Sequence, residues 1–273
     1  MLAITPVKFH SPSFGIFFND VNNEYGDIKY RGDTVLCRDD LYLPEVVDFL
    51  NDKYKKAPKV NVIMHACSDG EEVYSFLGVL ISKLGLNAAK FLPVSARDID
   101  PEHLKLAKNG VYNITNSEYI MANDHMNGAF YDYFQALPYQ KPKDPRLKYT
   151  TKVKVDDSLK SFVNFERSNI LEDVKKTDLK NTVLFARNFW PYLDSYEREK
   201  LASDLSKKMD SSSTLIIGDY DKMNGNVDLL LSKYGFVEKV ENVYEKEHEY
   251  HPNKYISSKN ARLNIDYYPY YSE

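Results

Sequence analysis

Glycine is scarce, at 11 of 273 residues, and no stretch carries the GxGxxG turn that cradles a dinucleotide pyrophosphate. Cysteine is scarcer still. Cys37 and Cys67 alone cannot build a disulfide framework, and no CxxC or Cys/His spacing has the form of a zinc site. Both are expected as reduced thiols of a cytoplasmic protein, with Cys67 packed beside a loop. No run approaches the roughly 18 apolar residues of a membrane span, and Met1–Pro6 lacks a basic stretch leading into an apolar core. Neither membrane insertion nor export is expected. There is no excess of positive charge: 36 Lys and Arg against 40 Asp and Glu leave a formal net charge of -4, so nucleic acid is not the expected partner. What the chain does have is ordinary globular composition, 43% hydrophobic and 28% charged, enough to bury a full core.

The hydrophobic pattern alternates between strands and helices. Residues 1 to about 30 show no period and read as an irregular arm. Pro44 to Tyr54 suits an amphipathic helix ending before Pro58, and Val60 to Ala66 reads as the first core strand. Val73, Phe76, Leu77, Leu80, Ile81 and Leu84 then recur at spacings of three and four, which predicts a helix stopped by Gly85. Phe91 to Ala96 reads as a second strand. Asp100-Pro101 has the form of a helix cap followed by proline at the first helical position, and Asn109-Gly110 closes that helix. Two strand–helix units in about 50 residues imply a right-handed crossover and a parallel sheet. From 112 to 147 the chain is aromatic and irregular, followed by two short strands, Lys148 to Val155 and Ser161 to Phe165, read together as an excursion from the sheet. The rhythm resumes with Val183 to Ala186, a helix from about Asp194 to Met209, the strand Thr214 to Gly218, a helix near Val227 to Lys233, and Gly235-Phe236-Val237. The expected fold is α/β, a doubly wound, mostly parallel sheet with a small antiparallel β insertion at about 112–165. The main domain is expected over 58–245, after an N-terminal arm and short helix (1–57) and before a tyrosine-rich tail (246–273).

Ligands of such sheets collect at the carboxyl ends of the strands. At the first end Gly70 allows close backbone approach, and Glu71 and Glu72 either complement the helix dipole or accept from a ligand. At the second end Asp98, about 30 residues after the loop, is either a solvated loop carboxylate or an acceptor for ribose hydroxyls. Two glutamates at the loop would repel a pyrophosphate. A phosphate-free adenosine compound with a positive charge fits this chemistry, and S-adenosylmethionine is one.

The segment Ala66-Cys-Ser-Asp-Gly-Glu-Glu-Val-Tyr-Ser75 resembles the ACSTGEEPYS signature of the CheR-type chemotaxis receptor methyltransferases, which esterify glutamate side chains using S-adenosylmethionine. Four further blocks follow the same family in order. Thr34-Val-Leu-Cys-Arg38-Asp39 is similar to T-x-F-F-R-D/E, and Arg97-Asp-Ile-Asp100 with Leu104, Ala107 and Gly110-Val-Tyr112 to DID...L..A..G.Y. Val163 to Ile170 is similar to VxFxxxNL, and Ala186 to Leu193 to CRNVxIYF. The resemblance covers about residues 33 to 240.

Position by position, it implies that Thr34 and Arg38 close over the methionine end of S-adenosylmethionine, that Glu72 holds its amino group and that Asp98 holds the ribose. Asn169 and Ile170 are implied to flank the adenine, and Asn188 and Phe189 to line the floor beneath the sulfonium. Tyr192 matches an aromatic near the transferred methyl, so Arg38 and Tyr192 are the candidates for orienting the nucleophile. The implied substrate is a protein with an exposed glutamate, a chemoreceptor or another signalling protein, and the implied product is S-adenosylhomocysteine. The chain departs from the family in lacking a counterpart of its N-terminal helical domain. It also has Val73 for a proline, Phe189-Trp190-Pro191 for an aliphatic run, and Gly218-Asp-Tyr-Asp221 for a GHSE-like sequence. Two rival readings follow: a binding or scaffold protein of the same fold without turnover, and a methyltransferase for a small molecule. His248 and His251 are read as surface residues, not metal ligands.

Overall fold

A computed structural model describes residues 34–139, 147 and 150–247. The arm, the start of the strand expected at Lys148, His248, His251 and the tyrosine-rich tail lie outside the described residues. The chain divides into two compact units, Met1–Asn169 and Ile170–Glu273.

The first unit opens with α1 (Leu43–Lys53), which has Pro44 in its first turn and buries Val46, Val47 and Leu50. β1 (Asn61–His65) follows, and α2 (Glu71–Leu84) runs from Gly70 to Gly85 with the predicted Val73, Phe76, Leu77 and Leu80 buried. Residues Gly85–Phe91 form a 3-10 turn. β2 (Val94–Asp98) therefore begins three residues later than Phe91, just past Pro93, which has no N–H to give a ladder. α3 (Pro101–Asn109) is capped as its sequence predicts. The Asp100 side chain accepts from the Glu102 amide, and Gly110 takes a left-handed φ of 62°.

The stretch expected to be irregular holds β3 (Val111–Ile114), α4 (Asn116–His125), α5 (Phe130–Tyr133) and β4 (Phe134–Ala136). β5 (Thr151–Val155) pairs antiparallel with both β3 and β4, completing the small antiparallel sheet. After α6 (Asp157–Lys160) comes β6 (Val163–Arg167), and here the sequence reading is corrected. The strand expected at Ser161 to Phe165 is not part of the excursion: β6 runs parallel to β2, Val94 opposite Val163, so the order within this unit is β6-β2-β1.

The second unit contains α7 (Ile170–Lys176), β7 (Thr182–Ala186), α8 (Ser195–Lys208), β8 (Thr214–Ile216), α9 (Asp219–Gly225), α10 (Val227–Lys233), β9 (Phe236–Val240) and β10 (Val243–Lys246). β7 is buried along its whole length, as a strand of a parallel sheet covered on both faces must be. It pairs parallel with β8, and β10 runs antiparallel to β8 and β9, giving the order β7-β8-β10-β9. The fold class is thus the expected α/β one, mostly parallel, with a small antiparallel sheet. Among the described residues no helix is long and apolar enough to cross a membrane, and no cluster of His, Cys, Asp and Glu is placed to hold a metal.

Candidate functional site

In the first unit the loop joining β1 to α2 is held in a demanding conformation. Ala66, Ser68 and Gly70 have φ of 54°, 47° and 88°. The left-handed region costs a residue with a Cβ about 1 kcal/mol, so bonds must hold it there. The Cys67 amide donates to the Arg97 carbonyl at 3.1 Å and the Gly70 amide to the Cys67 carbonyl at 2.9 Å. The Ser68 amide donates to Asp98 Oδ2 at 2.8 Å, and the Tyr112 hydroxyl donates to the Asp69 carbonyl at 2.7 Å. The close approach that Gly70 permits is toward α3: a Cβ there would lie 2.8 Å from that of Ala107.

Asp98 is 7% exposed. Its second oxygen accepts from the Asp100 amide at 2.9 Å, so the carboxylate ties the loop to the end of β2, and each oxygen keeps a lone pair. Burial raises its pKa, opposed by the two amides and by His103. Asn169 is brought near because the Ser168 amide donates to the Asp98 carbonyl at 2.9 Å.

The segment Thr34–Arg38 is fastened to the first turn of α2. The Cys37 amide donates to Ser75 Oγ at 2.8 Å, and that hydroxyl donates to the Glu71 carbonyl at 2.7 Å. Arg38 acts electrostatically on Glu71, whose pKa is pushed well above the usual carboxylate range, first by burial and then by the charge of Asp69. Glu71 Oε2 and Ser68 Oγ are shielded from solvent without a hydrogen-bond partner among the described residues. Glu72 lies close enough to Cys67 to raise, together with burial and Asp98, the pKa of that thiol.

In the second unit the chain leaves β7 through Arg187 and Asn188, the latter 8% exposed with φ 61°. Phe189 stacks on Trp190 at 5.6 Å, and Trp190 Nε1 donates to the Ala186 carbonyl at 2.8 Å. This turn is organised by Asp221, which is fully buried. Its Oδ2 accepts from the Asn188 amide at 2.7 Å and the Gly218 amide at 2.9 Å, and its Oδ1 from the Trp190 amide at 3.2 Å. Burial pushes the carboxyl up to about 7, against the pull of those amides and of Arg187. Asn188 Oδ1 is buried and lacks a partner among the described residues. Tyr192 packs against Tyr220 at 6.0 Å, and Ile170 is buried at the start of α7.

In the first unit these contacts connect the segment carrying Arg38, the start of α2 with Glu72, the loop, Asp98 and the segment carrying Asn169, while no contact among the described residues places Thr34 with them; the second unit carries Ile170, Asn188, Phe189 and Tyr192. Sequence reasoning missed two contributors, and of its two readings of Glu71, dipole partner or acceptor, the structure adds that Oε2 is shielded without a hydrogen-bond partner among the described residues. Asp221 was noted as a departure from GHSE and is the anchor of the Asn188 turn. The pair of Asp69 and His103, with Asp69 Oδ1 2.5 Å from His103 Nδ1, joins residues too far apart in sequence to be read as one feature. The unpartnered atoms test the cofactor chemistry. In the first unit Ser68 Oγ and Glu71 Oε2 can each take part in a further hydrogen bond, and in the second Asn188 Oδ1 is an acceptor; each unit by itself suits a ligand rich in N–H and O–H groups. The residues present fit S-adenosylmethionine.

The profile described as CheR methyltransferase, SAM binding domain, matches residues 33–235. A chemotaxis protein methyltransferase of Borreliella burgdorferi is 25% identical over 196 residues, covering 67% of this chain and 62% of the relative. A probable chemotaxis protein methyltransferase of Rhizobium etli is 23% identical over 196 residues, covering 72% and 66%. The chain therefore spans somewhat under two thirds of the length of these curated relatives. Among solved structures, a TehB-like SAM-dependent methyltransferase from Corynebacterium glutamicum superposes with a TM-score of 0.38 at 10% identity, covering 79% of this chain and 90% of that one. Because the profile runs from the Thr34–Arg38 segment through the loop of β1 and the turn after β7 to the start of β9, the chain belongs to the CheR methyltransferase SAM-binding domain family.

Proposed function

We propose that this chain is an S-adenosylmethionine-dependent methyltransferase that esterifies a glutamate side chain of a protein substrate, a chemoreceptor or another signalling protein. The observation that carries the reading is the acceptor-rich end of β1 and β2. There Glu72 and Asp98 stand around a loop whose geometry four hydrogen bonds maintain. Such a surface attracts a cationic adenosine compound and repels a polyphosphate. The names of both curated relatives support a signalling protein as acceptor.

Bound S-adenosylmethionine supplies a methyl group already activated by a positive sulfur. Glu72 would hold its ammonium and Asp98 its ribose hydroxyls, with Thr34 and Arg38 over the methionine end. Asn169 and Ile170 would flank the adenine. In the second unit Asn188 Oδ1 offers an acceptor and Phe189 an apolar ring. The acceptor glutamate is ionised at neutral pH, with an ordinary carboxyl pKa of about 4.3, so no general base is required. What the protein contributes is alignment and exclusion of water. The Arg38 guanidinium of the first unit is suited to orient the incoming carboxylate in a bidentate grip, and in the second unit the Tyr192 hydroxyl is the other candidate for that role.

The reaction is tested by incubating the protein with methyl-labelled S-adenosylmethionine and an extract of its parent organism. Label should enter a protein band and be released as methanol in mild base, the behaviour of a carboxyl ester. Glu72→Gln should lower the incorporation about tenfold, the value of one charged hydrogen bond. S-adenosylhomocysteine binding without any labelled product would favour a scaffold. Label confined to small molecules would overturn the protein acceptor.

A further inference from the structure

His103 stands on α3 behind the cofactor loop with its side chain 15% exposed. Its Nδ1 is 2.5 Å from Asp69 Oδ1, and its Nε2 is 4.0 Å from Asp100 Oδ2. A neutral imidazole has one N–H, whereas a ring with a carboxylate at each nitrogen is matched best when both nitrogens carry hydrogen. Asp69 occupies the position of threonine in the ACSTGEEPYS signature. A threonine there could not form an ion pair, so the pair is a feature of this chain. Asp69 is also gripped through its backbone, where its carbonyl receives the Tyr112 hydroxyl. The His103 charge further reaches Asp98, the carboxylate that holds the Ser68 amide.

We propose that His103 is a positioning residue: as an imidazolium between Asp69 and Asp100 it fixes the loop Cys67–Gly70 in its left-handed geometry, and it makes cofactor affinity depend on pH. The groups facing it come from three elements. They are Asp69 on the loop, Asp98 at the end of β2 and Asp100 at the cap of α3, with Glu71 acting on Asp69 from the start of α2. When the ring loses its proton the charge that offsets the repulsion among these carboxylates is removed. The loop, with Ala66 and Ser68 in left-handed geometry, then keeps its backbone hydrogen bonds but loses one of the contacts that offset its strain.

The ligand in this proposal rests on the cofactor reading above, but the clamp on the loop does not, and the two can be separated. The probe is S-adenosylhomocysteine, which has no sulfonium and a zwitterionic amino-acid end, so its affinity reports loop geometry more than net charge. Its dissociation constant is measured by calorimetry between pH 5.5 and 8 for the wild type, His103→Gln and Asp69→Asn. The wild-type constant should rise about fivefold or more across that range, the lower end of typical coupling, while both variants stay flat at the weak end. In parallel, hydrogen exchange of the Cys67, Ser68 and Gly70 amides, corrected for intrinsic rate, is followed without ligand. Protection should fall with rising pH in the wild type only. A variant that keeps the wild-type pH slope, or a wild type with none, overturns the proposal. If S-adenosylhomocysteine binds at no pH the cofactor reading fails, and amide protection alone decides whether His103 clamps the loop.

Discussion

Asp221 shows how a single carboxyl can be at odds with its surroundings and still be required. Three backbone amides donate to it, fixing the turn that presents Asn188. Burial nevertheless raises its pKa to about 7. The unfolded chain, with an ordinary value of about 3.9, releases this proton first. Between roughly pH 4 and 7 the unfolded state therefore binds fewer protons than the folded one, and the carboxyl's contribution to stability falls as pH rises. In Asp221→Asn an amide N–H replaces one acceptor and faces a backbone donor, which should cost about 1–3 kcal/mol. That deficit should be largest near pH 4 and should shrink toward pH 7, where the wild type has lost what the variant never had. Urea unfolding of both proteins across this range measures it, and a deficit that grows with pH would show that the carboxyl ionises without penalty. The sequence marked this residue through the change from GHSE to Gly218-Asp-Tyr-Asp221, but of its three donors only Gly218 is local, three residues before it, and the other two lie 31 and 33 residues upstream. A contact of that range leaves no local pattern. The places of Glu72 and Asp98, by contrast, were legible, because the hydrophobic pattern locates the start of α2 and the end of β2.

Among the elements, the legible ones carry their own punctuation. α2 declares itself by apolar residues at three- and four-residue spacing and by Gly85, and α3 by Asp100-Pro101 and Gly110. α4 does not: it buries only Ala122 and His125, so it shows no apolar stripe, and its sequence was read as irregular. β6 was found as a strand but placed in the wrong sheet, because its parallel register with β2 depends on residues some 70 positions away. An element that buries so little draws much of its stability from its ends. At the start of α4 the Glu118 amide donates to Thr115 Oγ1 at 3.2 Å, and Glu118 Oε2 accepts from the Thr115 amide at 2.6 Å. Thr115→Ala should therefore destabilise the protein by about 1 kcal/mol, the usual value of such a cap. It should also speed hydrogen exchange of the amides of Ser117, Glu118 and Tyr119. A lower urea midpoint with unchanged slope is the expected signature, and a shift within error would mean that neighbouring packing, not the cap, holds α4.

For the molecule as a whole, the sequence pointed to a ligand chemistry before the division into two units could be seen. Missing glycines at the loop argued against a pyrophosphate, and paired glutamates argued for a cation. The structure adds the buried, unpartnered oxygen of Glu71 and the carboxylates of Asp69 and Asp98 around the same loop. This gives a discrimination that thermal unfolding can read. A ligand that binds only the folded chain adds about 2.7 kcal/mol at one hundred times its dissociation constant. For a chain of this size that amounts to a rise of about 5–10 °C in Tm. S-adenosylhomocysteine should produce such a rise. ATP presents the same adenosine but places a triphosphate toward these carboxylates, and at equal concentration it should shift Tm by less than about 1 °C. Adenosine alone, without the charged ends of either, should fall between them, because the proposed ribose contact with Asp98 would survive while the proposed ammonium contact with Glu72 would not. If ATP stabilises the protein as strongly as S-adenosylhomocysteine, the carboxylates are not the discriminating surface, and the assignment of Glu72 to a positively charged group falls with it.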